Sequence, residues 1–371
     1  MISKACLVGS YQRKLEELAR LPDVTLTVVV PPYWRDERGV IRLEQAHTQG
    51  YELVVEPMAF NGHFHAHFYP RLARQFERAR PEVVHMDEEP YNLATLQAVW
   101  LARRAGARSL FFTWQNIRRR YPPPFSWIEH YTLRHAAFAI AGNADAVAVL
   151  RDKGYHGQVR VIPQFGVDPD LFSPGEEQRS GDAFTVGYAG RLVVEKGVGD
   201  LIRALSGLDD PWRLRIVGSG PLRQSLEDEA QALGVAGRVS FEEWVASTEM
   251  PTRLRRLDAL VLPSQTRPNW KEQFGRALVE AMACGVPVVG SDCGEIPHVI
   301  GEAGLVFPEG DVEALRGHLA RLMRDLSLRA DLARRGRDRV LAHYTQAQVA
   351  AQTHAVYQEV LDPMSLTRSE W

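Results

Sequence analysis

Trp270-Lys-Glu-Gln-Phe-Gly-Arg-Ala-Leu-Val-Glu-Ala-Met-Ala-Cys-Gly-Val-Pro-Val-Val-Gly290 is a helix-period segment that runs into a short continuous apolar burst. The pattern predicts a helix from near Gln273 to Cys284 and a buried strand over Val286–Gly290. The same alternation extends upstream through strand candidates Thr185–Tyr188, Arg213–Val217, Val239–Phe241 and Ala259–Leu262. The first half repeats it, with strands expected at Ile2–Gly9, Thr25–Val30, Tyr51–Glu56, Val83–His85, Ser109–Thr113, Phe138–Ala141 and Val159–Ile162. Helical segments between these are expected at Gln12–Arg20, Pro70–Ala79, Tyr91–Ala105 and Phe125–His135. Parallel strands buried on both faces read as such Val/Ile/Leu runs, so the chain is α/β, twice over.

Pro, Gly and acidic residues concentrate around 164–182, where a linker is expected. The domains then run over 1–168 and 169–343, with a helix in 344–371 completing the first. Val349, Val356 and Val360 put one apolar face on that helix. The length of 371 residues fits two domains. Hydrophobic residues at 45% and charged residues at 24% exclude disorder as the main state. A formal net charge of -2 argues against a dedicated DNA-binding protein. Three scattered cysteines exclude a disulfide scaffold. Met1–Gly9 is too short an apolar run for a signal peptide, and no stretch of about 18–20 apolar residues occurs. The expected compartment is the cytoplasm.

The chemistry-bearing residues sit at strand ends. If Glu272 stands just before the helix, its carboxylate lies roughly 12 Å along the axis from that of Glu280. That spacing suits two ends of an extended ligand, and the amides of Gln273, Phe274 and Gly275 would open the helix toward its oxygens. Gly190, Arg191 and Lys196 follow the first strand of the second half, and two cations there suit a diphosphate. Gly218 and Gly220 follow the next strand. Ligands of open α/β sheets bind beyond the carboxyl ends of strands, so these loops should converge. Taken singly, each has a bland reading: solvated glutamates, a weak Arg191–Glu195 surface pair, and glycines that merely leave a buried strand.

Gly190-Arg191-Leu192 with Glu195-Lys196-Gly197, Val217-Gly-Ser-Gly-Pro221, Leu262-Pro-Ser264 and Glu272 through Val289 together resemble glycosyltransferase family 4. Gly294-Glu-Ile-Pro297 and Gly304-Leu-Val306 continue the match, and Val161–Pro174 resembles the family's interdomain segment. The resemblance implies a GT-B fold, with two Rossmann-like domains facing across a cleft. The nucleotide-diphosphate sugar would bind the second domain and the acceptor the first. It implies retention of anomeric configuration and no metal or other cofactor. Arg191 and Lys196 would hold the diphosphate, Glu272 the donor sugar and Glu280 the ribose, with Trp244 and Val245 beside the base. Glu272 is not expected to pair with Glu280 in double displacement, which needs carboxyls roughly 5–5.5 Å apart.

In the first half, only Gly9-Ser10 stands where relatives often carry a Gly-rich loop, and Gln115 stands where they often carry a histidine. Gln115, Asn116, Glu88, Glu89 and His65 are the expected acceptor-side residues. His63, His65 and His67 alternate, so an extended segment would put them on one face. That face could line the acceptor site or be plain polar surface; a zinc site is chemically conceivable, but no Cys or carboxylate has the right local spacing. Arg118–Trp127 joins three cations to aromatic residues and suits an anionic membrane, an anionic acceptor or water. The competing readings are a two-lobed sugar-nucleotide epimerase, a dinucleotide oxidoreductase and a non-catalytic nucleotide-sugar binder. The oxidoreductase lacks its fingerprint, since Gly9-Ser10-Tyr11-Gln12 is no G-x-G-x-x-G.

Overall fold

The structure is a computed structural model that describes residues 1–36, 39–175, 183–243 and 245–362. The chain divides into two compact units. One comprises Met1–Gly166 and the C-terminal stretch from Gln346, and the other Val167–Thr345.

In the first unit, β1 (Thr27–Val30) pairs in parallel with β4 (Glu52–Val55). Strands β2 (Tyr33–Asp36) and β3 (Gly39–Arg42) form a small antiparallel pair that the sequence reading missed. Strands β5 (Val83–Met86), β6 (Arg108–Thr113), β7 (Phe138–Ala141) and β8 (Gln158–Val161) make a parallel sheet in that order. The C-terminal helix Gln346–Leu361 buries Val349, Val356 and Val360 against Leu110, Phe112 and Ile140. Those valines recur at seven and four residues, so one helix face meets the sheet.

The expected strand at Ile2–Gly9 does not form. Ile2 alone bridges Val29 and Met86 in parallel, giving its N–H to the His85 carbonyl at 2.9 Å. Lys4 then turns helical, and Ala5–Leu7 and Gly9–Gln12 wind as 3-10 turns. Consecutive turn positions bury both Cys6 and Leu7, which strand alternation would send to opposite faces. The Gln12 amide holds the turns, donating to the Cys6 carbonyl at 2.9 Å and accepting from the Ala46 N–H at 3.1 Å.

The second unit contains β9 (Phe184–Ala189), β10 (Trp212–Val217), β11 (Val239–Glu242), β12 (Ala259–Leu262), β13 (Val288–Ser291) and β14 (Leu305–Phe307). They form one parallel sheet in the order β11-β10-β9-β12-β13-β14. The order reverses direction between β9 and β12, and the loops leaving those two strands flank the crevice where such sheets bind ligands. The helix Arg276–Ala283 buries Leu278, Val279 and Met282 in the core. Each such side chain contributes about 1.5–3 kcal/mol, which fixes the approach to the site.

Candidate active site

The loop after β9 is laced to both neighbouring strand exits. On one side Gly190 N–H bonds the Val217 carbonyl at 3.0 Å and Leu192 N–H bonds the Ser219 carbonyl at 2.9 Å. Gly218 is required by close approach, because a Cβ there would stand 1.9 Å from the Gly190 carbonyl oxygen. Gly220 lies similarly tight against Leu192. On the other side Gln265 N–H bonds the Glu195 carbonyl at 2.8 Å. Gly197 has φ +62°, and a Cβ there would sit 2.0 Å from the Pro263 carbonyl oxygen. Backbone thus meets backbone on both flanks of Arg191–Lys196, and the loop is preorganised.

The ammonium of Lys196 lies 2.5 Å from Glu272 Oε2 and 4.9 Å from the centre of the Trp270 ring. Ser264, fully buried at the exit of β12, donates its hydroxyl to the same carboxylate oxygen at 2.9 Å. Residues 76 apart in the chain therefore form one cluster. Arg191 reaches the same neighbourhood through Tyr188, whose hydroxyl donates to the Arg191 carbonyl at 2.7 Å. Burial pushes that phenol up, and the charges of Glu272, Arg191 and Glu195 act on it together. The Arg191 side chain is exposed.

The helix opens later than expected. It runs Arg276–Ala283, with Gly275 as its N-cap at φ +78°, a conformation that no helix interior adopts. The expected start near Gln273 is therefore corrected, and Gln273, Phe274 and Gly275 precede the first turn. Gln273 is exposed, and Phe274 packs edge-on against Tyr344 at 5.7 Å. Glu280 accepts from Arg276 Nε at 2.7 Å; burial raises its pKa and the guanidinium opposes that rise. Val245 packs at the rim of the core, and Trp244 lies outside the described residues. Ser264 and Trp270, which touch the Lys196–Glu272 pair, were not among the expected site residues. The signal available for Ser264 was its place just past a buried strand, and for Trp270 its place two residues before Glu272.

In the first unit, two polar networks occupy the exits of β5 and β6. Glu88 is buried, ion-paired with Lys4 and 2.8 Å from His67 Nε2, with the Asn92 amide at 3.2 Å. Burial alone would raise its pKa, but the Lys4 ammonium and His67 override it and hold the carboxyl well below the usual range. Glu89 accepts from the Thr113 hydroxyl at 2.6 Å and the Trp114 N–H at 2.8 Å. Gln115 gives its amide N–H to the Tyr121 hydroxyl at 3.2 Å and receives Lys153 Nζ at 2.7 Å on its oxygen. Lys153 also meets Glu129 at 2.5 Å. Asn116 is buried beside Gln115.

His65 packs among Tyr91, Tyr121 and Phe125, with ring centroids 5.2, 5.3 and 5.0 Å away. Burial, then His67, lowers its pKa, and its Nδ1 has no hydrogen-bond partner among the described residues. The extended histidine face is corrected: residues 60–66 turn back on themselves, leaving His63 exposed, His65 half-buried and His67 fully buried. Among the described residues no three His, Cys, Asp or Glu gather into a metal cluster. The Arg118–Trp127 stretch divides, with Arg118, Arg119, Arg120 and Trp127 exposed while Tyr121 and Phe125 turn in toward His65. No described helix is long and apolar enough to cross a membrane.

Burial pushes Glu89 up to about 7, well above the usual carboxylate range near 4.5, against the pull of Thr113 and Trp114. The folded form thus binds the proton more tightly than the unfolded chain. Its contribution to stability is full below about pH 4.5 and is lost as pH rises through about 7, a change of a few kcal/mol. Melting temperatures across this window should fall more steeply for the wild type than for Glu89→Gln. Parallel curves for the two proteins would refute the assignment.

Residues 172–339 match the glycosyl transferases group 1 family, and residues 9–164 match the glycosyl transferase 4-like domain. A GDP-mannose-dependent α-(1-6)-phosphatidylinositol monomannoside mannosyltransferase of Mycolicibacterium smegmatis is 32% identical over 61% of this chain and 63% of its own. Its Mycobacterium tuberculosis counterpart is 32% identical over 50% of this chain and 52% of its own. The chain thus spans from about half to less than two thirds of the length of the curated relatives it matches. Among solved structures, HepE of Anabaena in complex with UDP superposes with a TM-score of 0.73 at 18% identity, covering 96% of this chain and 98% of that one. Sucrose-phosphate synthase of Thermosynechococcus elongatus gives 0.69 at 21% identity, covering 94% and 92%. With both units matched in sequence and the whole fold matched in space, the chain belongs to the group 1 glycosyltransferases of family 4 type, built on the GT-B fold.

Proposed function

We propose that this chain transfers a sugar from a nucleotide-diphosphate sugar to a hydroxyl-bearing acceptor, with retention and without a metal ion. The observation that carries the reading is the Lys196–Glu272–Ser264 cluster, set in the backbone-laced loop at the switch point of the second unit's sheet. An ammonium has three donors, so Lys196 can keep Glu272 and still reach a phosphate oxygen. Arg191, exposed on the same loop, supplies a second cation. In the reaction the bond from the anomeric carbon to the diphosphate oxygen breaks as the bond to the acceptor oxygen forms. The departing diphosphate takes the acceptor's proton, and the two cations stabilise its charge. Glu272 holds donor-sugar hydroxyls and Glu280 the ribose, while Gln115, Asn116, Glu89 and His65 belong to the acceptor side.

The M. smegmatis relative is named for GDP-mannose, and HepE was solved with UDP, so the base is chosen by experiment. Thermal-shift measurements with UDP, GDP, ADP and NAD(H) should show stabilisation by one nucleoside diphosphate, since a ligand that binds the folded state raises apparent stability. The shift should survive Gln115→Ala. Stabilisation by NAD(H) alone, or by none of the four, would sink the reading.

A further inference from the structure

A slot one strand wide runs through the sheet of the first unit. Strand β1 pairs with β4 on one side and β5 with β6 on the other, and between β1 and β5, among the described residues, Ile2 alone bridges to both. Bridging both puts them two strand spacings apart, about 9–10 Å. The β4 ladder uses the Leu26 and Val30 carbonyls, so by alternation Thr27 and Val29 turn their main chain to the slot. The β6 ladder uses the Glu82 carbonyl, which turns Val83 and His85 the same way. Ile2 occupies the His85 carbonyl, and Ser3 N–H the Val29 carbonyl. On the other side of Ile2, the amides of Thr27 and His85 have no main-chain acceptor among the described residues. A cavity of about 300 Å³ lies there, lined by Thr25, Thr27, Val29, Val83 and His85.

The ammonium of Met1 points along this slot and donates to the Thr27 carbonyl at 2.7 Å, where a strand amide would. Burial lowers its pKa to about 6, the mark of a charge held where a neutral group fits better. We propose that the slot is filled by three or four residues of this chain's own polypeptide ahead of Met1, extended and parallel to β1 and β5. Translation would then begin upstream of Met1. A peptide N–H in place of the ammonium makes the same bond to Thr27 without burying a charge. At about 3.3 Å per residue, that length reaches from Ile2 to the start of β5. Leu72 and Phe76 line the cavity from one helix and Tyr357 from another, so the segment should be apolar at alternate and adjacent positions alike.

The test has two parts, neither of which involves glycosyl transfer. The protein made from its own gene with its upstream region, carrying a C-terminal tag, should have an intact mass above that of a chain starting at Met1. Separately, Lys-Val-Leu-Val placed ahead of Met1 should raise the melting temperature by about 5 °C over Lys-Gly-Asp-Gly in the same place. It should also slow hydrogen exchange of the Thr27 and His85 amides at least tenfold. A native chain that starts at Met1, or equal exchange at those amides in the two fusions, overturns the proposal.

Discussion

Lys196→Ala is expected to lower kcat/KM by about 100- to 1000-fold, the usual loss when a preorganised donor to developing charge is removed. It should also abolish the thermal shift with the nucleoside diphosphate. Two consequences of the substitution have to be separated. Lys196 and Glu272 side chains are only 17% and 10% exposed, so removing the ammonium strands a largely desolvated carboxylate. Breaking a fully buried pair costs about 3–5 kcal/mol, and this one belongs at or below the lower end of that range. Glu272→Gln in the Lys196→Ala background removes the stranded charge and should restore much of the melting temperature. Nucleotide binding should stay absent in the double variant, because the cation is still gone. A full shift in Lys196→Ala would contradict the diphosphate assignment.

Gly218→Ala is expected to disrupt the site without touching any charged group. The added Cβ would start 1.9 Å from the Gly190 carbonyl oxygen, a backbone atom with no rotamer to escape through. Either the β10 exit or the Gly190–Leu192 turn must move. Overpacking of this kind costs about 1–3 kcal/mol, and more where main chain blocks main chain. Because the Leu192 N–H to Ser219 bond and the Gly190 N–H to Val217 bond hold the loop carrying Arg191, the displacement should weaken nucleotide binding at least tenfold. The comparison is Gly237→Ala, where a Cβ meets nothing within 4 Å and no effect is expected. Equal nucleotide affinity in Gly218→Ala and Gly237→Ala would show that the tight crossing does not hold the site.

The glycine positions were legible because a missing Cβ is written in the chain, and strand-to-helix crossings announce themselves through apolar runs that stop at Gly. The strand Phe138–Ala141 and the helix Phe125–His135 stand where periodicity put them. Ile2–Gly9 misled for a physical reason. An apolar run of that length is consistent with a strand, but Cys6 and Leu7 are buried just as well by 3-10 turns once the Gln12 amide satisfies the Cys6 carbonyl and the Glu44 N–H the Leu7 carbonyl. The helix start misled because Gly275 reads equally as a first-turn residue or as a left-handed cap.

From the sequence alone came the two α/β halves, the glycine-bearing strand exits and the residue types able to meet a diphosphate, all properties that local periodicity and side-chain chemistry encode. Only the tertiary structure decided who pairs with whom. Lys196 with Glu272 and Ser264, Lys4 with Glu88 and His67, and Lys153 with Gln115 and Glu129 join residues whose separation in the chain carries no signal. Their partners are set by which strand exits the sheet order makes neighbours, and that order is a property of the packed whole.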